Sequence, residues 1–382
     1  MWYERSVATV GQVRRRRWRY VAVVAILTAA AIVPSVGVTR SGEKPSDAVT
    51  LQLTWETQAR FAGYYAALAK GYYRRAGLKV TIRPGGPNVV PERVVTGGRA
   101  EIGIDWLPTL LAARDRGGDI VNIGQIFTRS GVTELTWKDS GISSFCGLRH
   151  KRVGVWVGGT EAEQFAALEQ CGIDPSSDRD VRIVDQPLDM NPFLARHIDA
   201  ASAMTYNELA QVLETKNPKT GKLYQRRDLN VFSMQALGTG MLEDGIFVRG
   251  DWLKIPRNKD IARRFLEASL EGWVYCRDHP KPCVGIVLRN APKLGRGHET
   301  WQLNEVNKLI WPARLGIGVM DPVSYRRTTA IARSFKIVRK RPVGAYVTIY
   351  AREALADLRQ RGLDVRGRSY RPRHVQVTLG GK

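Results

Sequence analysis

The sequence predicts an α/β protein of two lobes, each a mostly parallel sheet covered by helices, with a ligand cleft between them. Three observations carry this. Short apolar strands alternate with helical periods in two successive runs that share architecture without sharing sequence. A stretch loosened by Gly238, Gly240 and Gly245 follows the second run, and long amphipathic helices come after it. Two lobes joined by two crossings leave a gap that closure can bury. The 382 residues, 43% hydrophobic, suffice for two cored domains of about 150 residues each and exclude a small disulfide-stapled module. With 25% charged and 8% aromatic residues, disorder is excluded for most of the chain.

The elements follow in order. After a polar linker, Val49 to Leu53 alternates as a strand, and Phe61 to Arg75 has a helical period with Tyr64, Ala67 and Leu68 on one face. Leu78 to Arg83 is a strand that Gly85-Gly86-Pro87 stops. Val89 to Gly97 reads as a helix, Glu101 to Ile104 as a strand, Pro108 to Arg114 as a helix and Ile120 to Phe127 as a strand. The second unit opens near Lys151 with strand Arg152 to Val157, helix Thr160 to Gln170 and strand Val181 to Asp185. Helix Met190 to Arg196, strand Ala200 to Met204 and helix Tyr206 to Leu213 complete it. Helices at Lys259 to Tyr275, His298 to Ile310 and Ser324 to Phe335 return to the first lobe. The expected division is residues 45–150 and 245–345 for lobe 1, 151–244 for lobe 2, and a basic C-terminal extension over 346–382, with Arg366 to Lys382 as a surface strap.

Residues 1–44 read as an export segment with its linker. Arg14 to Arg17 and Arg19 precede an apolar run from Val21 to Val33 closed by Pro34. Ser35 and Gly37 suit the −3 and −1 positions of a cleavage site, and the competing reading is an uncut membrane anchor through residues 21–38. Either sends the domain to the periplasm or the cell surface, where four cysteines are read as paired thiols. Cys276 and Cys283 flank a short turn-forming insert, so a bridge between them is expected. Cys146 precedes a strand and Cys171 ends the helix after it, which makes a second bridge plausible. Neither spacing suits zinc, and no cofactor is expected. The net charge is +23, of which residues 1–44 hold only eight basic and two acidic side chains. Outside Arg14 to Arg17 and Arg366 to Arg373 the cations are spread singly or in short groups such as Arg74-Arg75 and Arg339-Lys340-Arg341, and no nucleic-acid-binding motif is present, so no nucleic-acid partner is expected.

Glycine-rich phosphate loops, dinucleotide turns, His-Glu-x-x-His pairs and Gly-x-Ser-x-Gly elbows are absent from the sequence. Strand ends instead carry aromatics beside carboxylates. Trp55 and Glu56 close the first strand, Gln58 opens the first helix, and Asp105-Trp106 closes the third strand. Indole faces stack on flat rings while carboxylates accept from ring N–H or amino groups, which suits a planar nitrogen heterocycle. In the second unit Gly158 and Gly159 precede Thr160, which with Glu163 forms a capping-box pattern, leaving helix N–H groups open to a ligand oxygen. Tyr206 and Glu208 follow a fully apolar strand, where one could stack and the other pair with an amino-substituted ring edge.

Leu51 to Trp55, Phe61 to Tyr65, Lys70 to Tyr73, Pro84 to Pro87, Ile102 to Trp106, Val153 to Trp156, Asp199 to Glu208 and Asn304 to Pro312 carry a resemblance. In order over about Thr50 to Ala345 they resemble the substrate-binding proteins of ABC transporters for thiamine pyrimidine precursors, and related riboflavin-type carriers. The resemblance implies a type II periplasmic-binding-protein fold, a small heterocyclic ligand held between the lobes, a membrane permease as partner, and a monomer. Carried over by position, Trp55, Tyr64, Asp105 and Trp106 would face the ligand from lobe 1, and Gly159, Thr160, Tyr206 and Glu208 from lobe 2. The family also has a branch that makes hydroxymethylpyrimidine phosphate, consuming one of its own histidines with iron. The stretch Trp55 to Tyr65 holds no histidine and no cysteine cluster occurs, so the expectation is a receptor without catalytic activity. A synthase-like enzyme of that branch is the first alternative, and a ligand-sensing module without transport is the second. The Cys276 and Cys283 pair and the missing lipid-attachment cysteine depart from the pattern.

Overall fold

The computed structural model describes residues 46–157 and 161–382. The expected export segment, and with it the question of cleavage or anchoring, lies outside the described residues, as do Gly158, Gly159 and Thr160. Ten strands appear in chain order: β1 Asp47–Gln52, β2 Leu78–Arg83, β3 Ile102–Asp105, β4 Ile120–Gln125, β5 Val132–Trp137, β6 Arg152–Val155, β7 Arg182–Asp185, β8 Ala200–Met204, β9 Leu229–Ser233 and β10 Gly245–Arg249. They form two five-stranded sheets, ordered β2-β1-β3-β10-β4 and β7-β6-β8-β5-β9.

In the first sheet β1 runs parallel to β2 and β3, with Val49 opposite Val80 and Leu51 opposite Ile102. β10 returns antiparallel between β3 and β4. In the second, β6 is parallel to β7 and β8, whereas β5 is antiparallel to β8 and β9. Each sheet is thus a parallel βαβ unit joined by one antiparallel strand that arrives from the other lobe, β10 in the first and β5 in the second. Residues 126–131 make one crossing, and the segment between the short helix Met234–Leu237 and β10 makes the other.

This corrects the boundary expected at 150/151. β5 pairs in the second sheet, so the chain leaves the first lobe directly after β4. All six residues of β5 are buried, including Thr133, Glu134 and Thr136, so the strand lacks the polar/apolar alternation that marks a half-exposed strand. The expected helix over Phe61 to Arg75 is two, Ala62–Ala69 and Tyr72–Arg75, broken where Gly71 takes φ 71°.

The first-lobe core is built around a close helix crossing. The helix Pro256–Asp278 lies on Ala62–Ala69, and a Cβ on Gly272 would sit 2.0 Å from the carbonyl oxygen of Gly63. Trp273 fills the space beside it, fully buried. The extension expected over 346–382 is in part lobe 1 itself. Tyr346 bridges to Asn122 of β4, and the helix Ile349–Gln360 buries Ala351, Ala354, Leu355 and Leu358 against Pro256–Asp278. Only beyond it does the chain become an irregular strap. Its end reaches the second lobe, where Gly380 N–H donates to the Glu214 carbonyl at 3.0 Å. Both expected disulfides are present, Cys146–Cys171 and Cys276–Cys283, each with Cα atoms 5.2 Å apart.

Candidate functional site

A cleft of about 610 Å³ opens where the carboxyl ends of β1, β3, β6 and β8 face one another across the two lobes. Open α/β sheets place ligands at such strand ends, and the volume suits a small organic molecule. Thr54 and Trp55 follow β1, Asp105 and Trp106 end β3, and Glu92 sits in the first turn of the helix Pro91–Thr96. From the second lobe come Trp156 after β6, and Met204, Tyr206 and Glu208 at the end of β8.

Arg60 forms part of the lining between the two walls. Its Nε donates to Asp244 Oδ2 at 2.9 Å and its Nη2 to Oδ1. The guanidinium carbon lies 5.8 Å from the Trp106 ring centroid and 5.7 Å from that of Tyr206, so one cation touches an aromatic of each lobe. Burial opposes its charge, but Asp244 foremost, with Tyr206 and Glu243, outweighs burial and holds the guanidinium ionised. The turn that presents it is fixed from behind by the helix Arg296–Ile310. Glu299 Oε2 accepts Ala59 N–H at 2.6 Å, and Gln302 Oε1 accepts Arg60 N–H at 2.8 Å.

The acids of the cleft are held in environments that favour their neutral forms. Burial pushes Asp105 well above the usual carboxylate range, and the charge of Glu92 adds to that, although Asp105 Oδ1 accepts from Trp106 N–H at 2.7 Å and Thr54 Oγ1 at 3.0 Å. Burial raises Glu92 too. Glu243, behind Tyr206, is pushed up to about 7 by burial while accepting the Tyr206 hydroxyl at 3.1 Å. Burial likewise raises Glu208, whose Oε2 accepts Met204 N–H at 2.9 Å and whose Oε1 accepts from Asn207 Nδ2. The cleft therefore joins indole and phenol faces to carboxyl groups, with its buried cation already matched by Asp244. Such a surface can stack on a flat ring and accept from its N–H groups.

Of the residues singled out in the sequence, Trp55, Asp105, Trp106, Tyr206 and Glu208 come together on this cleft. Tyr64 does not. It is 1% exposed in the core, edge-on to Trp273 with ring centroids 5.8 Å apart, because the apolar face of its helix turns toward Pro256–Asp278. Gly159 and Thr160 lie outside the described residues. Arg60, Glu92 and Asp244 were not expected. Glu92 follows Pro91 and reads as an ordinary helix-start acid, while Arg60 and Asp244 are far apart in sequence and carry no local motif.

Comparison with known proteins agrees with this architecture. The chain is 23% identical over 322 residues to the riboflavin-binding protein RibY of Chloroflexus aurantiacus, covering 80% of this chain and 86% of that one. It is 32% identical over 138 residues to the 4-amino-5-hydroxymethyl-2-methylpyrimidine phosphate synthase of Legionella pneumophila, covering 35% of this chain and 43% of that one. The periplasmic aliphatic sulphonate binding protein SsuA of Escherichia coli superposes with a TM-score of 0.58 at 13% identity, covering 86% of this chain and 94% of that one. The two-lobed type II periplasmic-binding-protein fold expected from the sequence is the fold of the chain. The expectation of a protein without catalytic activity is corrected here. Relatives from Legionella and from several fungi are named as synthases, so membership of this group does not exclude an enzyme. The family profile described as "NMT1/THI5 like" matches residues 58–282, more than half of the sequence, and the chain belongs to that family.

Proposed function

We propose that the chain is the extracytoplasmic solute-binding component of an import system, and that it closes on a planar nitrogen heterocycle such as an aminopyrimidine or an isoalloxazine-type vitamin. The observation that carries this is the shared cleft. Trp55 and Trp106 from one lobe and Trp156 and Tyr206 from the other line one cavity together with Asp105, Glu92 and Glu208. Closure about the two crossings would bring the ring faces together on a flat ligand, and a membrane permease would receive it. Two disulfides fit an oxidising compartment, reached through the export segment or its uncut, anchored form. Calorimetric titration with pyrimidines, thiamine and riboflavin tests the reading. Saturable binding of at least one ring is expected, and the absence of heat with all of them would overturn it.

A second reading, chemistry on a pyrimidine, is favoured by the synthase relatives. Among the described residues the cleft lining holds no histidine, and His298 stands one hydrogen bond behind it, Nε2 2.9 Å from Asn207 Oδ1. Incubation with iron followed by mass spectrometry checks this reading. An iron-dependent mass loss at a histidine would establish it.

A further inference from the structure

Glu92 is 3% exposed, lines the cleft, and its Oε1 has no hydrogen-bond partner in the protein. Buried carboxyl oxygens are nearly always satisfied, and because Glu92 lines the cleft a hydrogen-bond donor bound there would supply the missing partner. Beside it stands Asp105, which lines the same cavity, whose Oδ1 is taken by Trp106 N–H and Thr54 Oγ1, and whose carboxyl lies within hydrogen-bonding reach of Glu92. We propose that Glu92 and Asp105 work as one carboxyl pair that reads the edge of the bound ring, one group donating and the other accepting a hydrogen bond. The cleft then selects an edge that carries an N–H donor beside a ring-nitrogen or carbonyl acceptor. This rests on the planar-ring reading above and adds the residues and the edge chemistry that set its specificity.

Two adjacent carboxyls withdrawn from water do not both ionise, so the pair keeps a proton. The charged groups around it decide where. Arg116 favours ionised Glu92, whereas Asp244, its own charge matched by Arg60, disfavours ionised Asp105, and Glu208 lines the same cleft from the other lobe. The proton stays on Asp105, which donates to the ring acceptor while Glu92 accepts from the neighbouring N–H. An amidine-like edge, ring nitrogen next to an exocyclic amino group, satisfies both groups. So does a lactam edge, carbonyl next to ring N–H.

The test has two arms. In the ligand-free arm, potentiometric difference titration compares the wild-type protein with Asp105→Asn. From acid to pH 7 the two proteins are expected to release the same number of protons, because the wild type retains its extra one, and one additional proton released by the wild type overturns the pair whatever the ligand. In the second arm, calorimetry gives Kd for 4-amino-2-methylpyrimidine, for lumichrome as the lactam edge, and for 2-methylpyrimidine, which lacks the donor. At least one of the first two is expected to bind about ten- to a hundredfold tighter than the last, and whichever is tighter names the edge. Glu92→Met is expected to collapse that ratio. Should it fail to fold, Glu92→Gln moves the loss of affinity with rising pH to lower pH. Equal binding of all three rings overturns the carboxyl pair and leaves the planar-ring reading standing, while failure of every ring to bind overturns both.

Discussion

The guanidinium of Arg60 and the carboxylate of Asp244 form a buried two-point pair, their side chains 9% and 2% exposed, that ties the turn before the first long helix to the second interlobe crossing. Because the same guanidinium faces Trp106 and Tyr206, the pair fixes the cleft floor relative to both walls. Truncation of one partner leaves the other charge buried and unmatched. Arg60→Ala is therefore expected to lower stability by about 3–5 kcal/mol in urea denaturation. The Arg60→Ala/Asp244→Ala double variant should recover part of that loss. A double variant no more stable than Arg60→Ala would show that the pair's charges are not what the single change exposes.

Glu299 supplies a pH dependence of known sign. Burial pushes its carboxyl up from 4.5 to about 7, against the hydrogen bond from Ala59 and the charge of His298. The folded state then binds a proton that the unfolded chain releases, so the contribution is fully present below pH 4.5 and lost as pH rises through about 7. Glu299→Gln keeps an acceptor for Ala59 N–H but cannot titrate. The stability of the wild type relative to this variant should fall by up to about 3 kcal/mol across that window and stay flat above it. A difference that is constant from pH 4 to pH 8 would mean that Glu299 titrates normally.

The two α/β lobes were legible because parallel βαβ units write themselves locally, as apolar strand, turn glycine and helical period. β1, β2, β3, β6 and β8 all fall where the sequence places them. What was not legible are the strands that exchange between lobes. β5 and β10 are fully or almost fully buried, so periodicity is lost, and their antiparallel partners lie far away in sequence. The same divide runs through the site. Trp55, Asp105, Trp106, Tyr206 and Glu208 announce themselves as polar and aromatic residues at strand ends, whereas Arg60 and Asp244 acquire meaning only from a contact between residues 184 positions apart. Tyr64 misleads for a related reason. It lies on an apolar face that a single sequence shows as buried without showing against what.

The Cys146–Cys171 bridge encloses a loop of 25 residues that contains β6 and the helix Ala162–Gln170. Cross-linking that span restricts the unfolded chain, and in the loop-entropy account this is worth about 3 kcal/mol. The double replacement Cys146→Ala/Cys171→Ala should lower the stability of the oxidised protein by about that amount. The separation of only 7 residues between Cys276 and Cys283 makes the corresponding replacement there the milder of the two on entropy alone. Equal or inverted losses, measured under the same oxidising conditions, would place the effect in native packing rather than in the unfolded chain.

Glu208 carries a relay that a single amide replacement should reverse. Its Oε1 accepts from Asn207 Nδ2, so Asn207 presents its Oδ1 to His298 Nε2 at 2.9 Å, and His298 Nδ1 lies 3.0 Å from Glu214 Oε1. Both ring nitrogens of His298 thus face acceptors, which matches the imidazolium form. Burial opposes that charge, but the hydrogen bond and charge of Glu214 raise the histidine above its usual range. In Glu208→Gln one oxygen must remain an acceptor for Met204 N–H, so the new amide NH₂ turns toward Asn207. Asn207 then has to rotate so that its carbonyl accepts from that amide, which points its own NH₂ at His298 Nε2 and demands that this nitrogen accept. The neutral imidazole, protonated at Nδ1 toward Glu214, becomes the favoured form. His298 should therefore titrate at lower pH in Glu208→Gln than in the wild type when followed by NMR of the ring carbons, with a stability loss of about 1–2 kcal/mol. An unshifted His298 titration would mean that Asn207 does not couple the two groups.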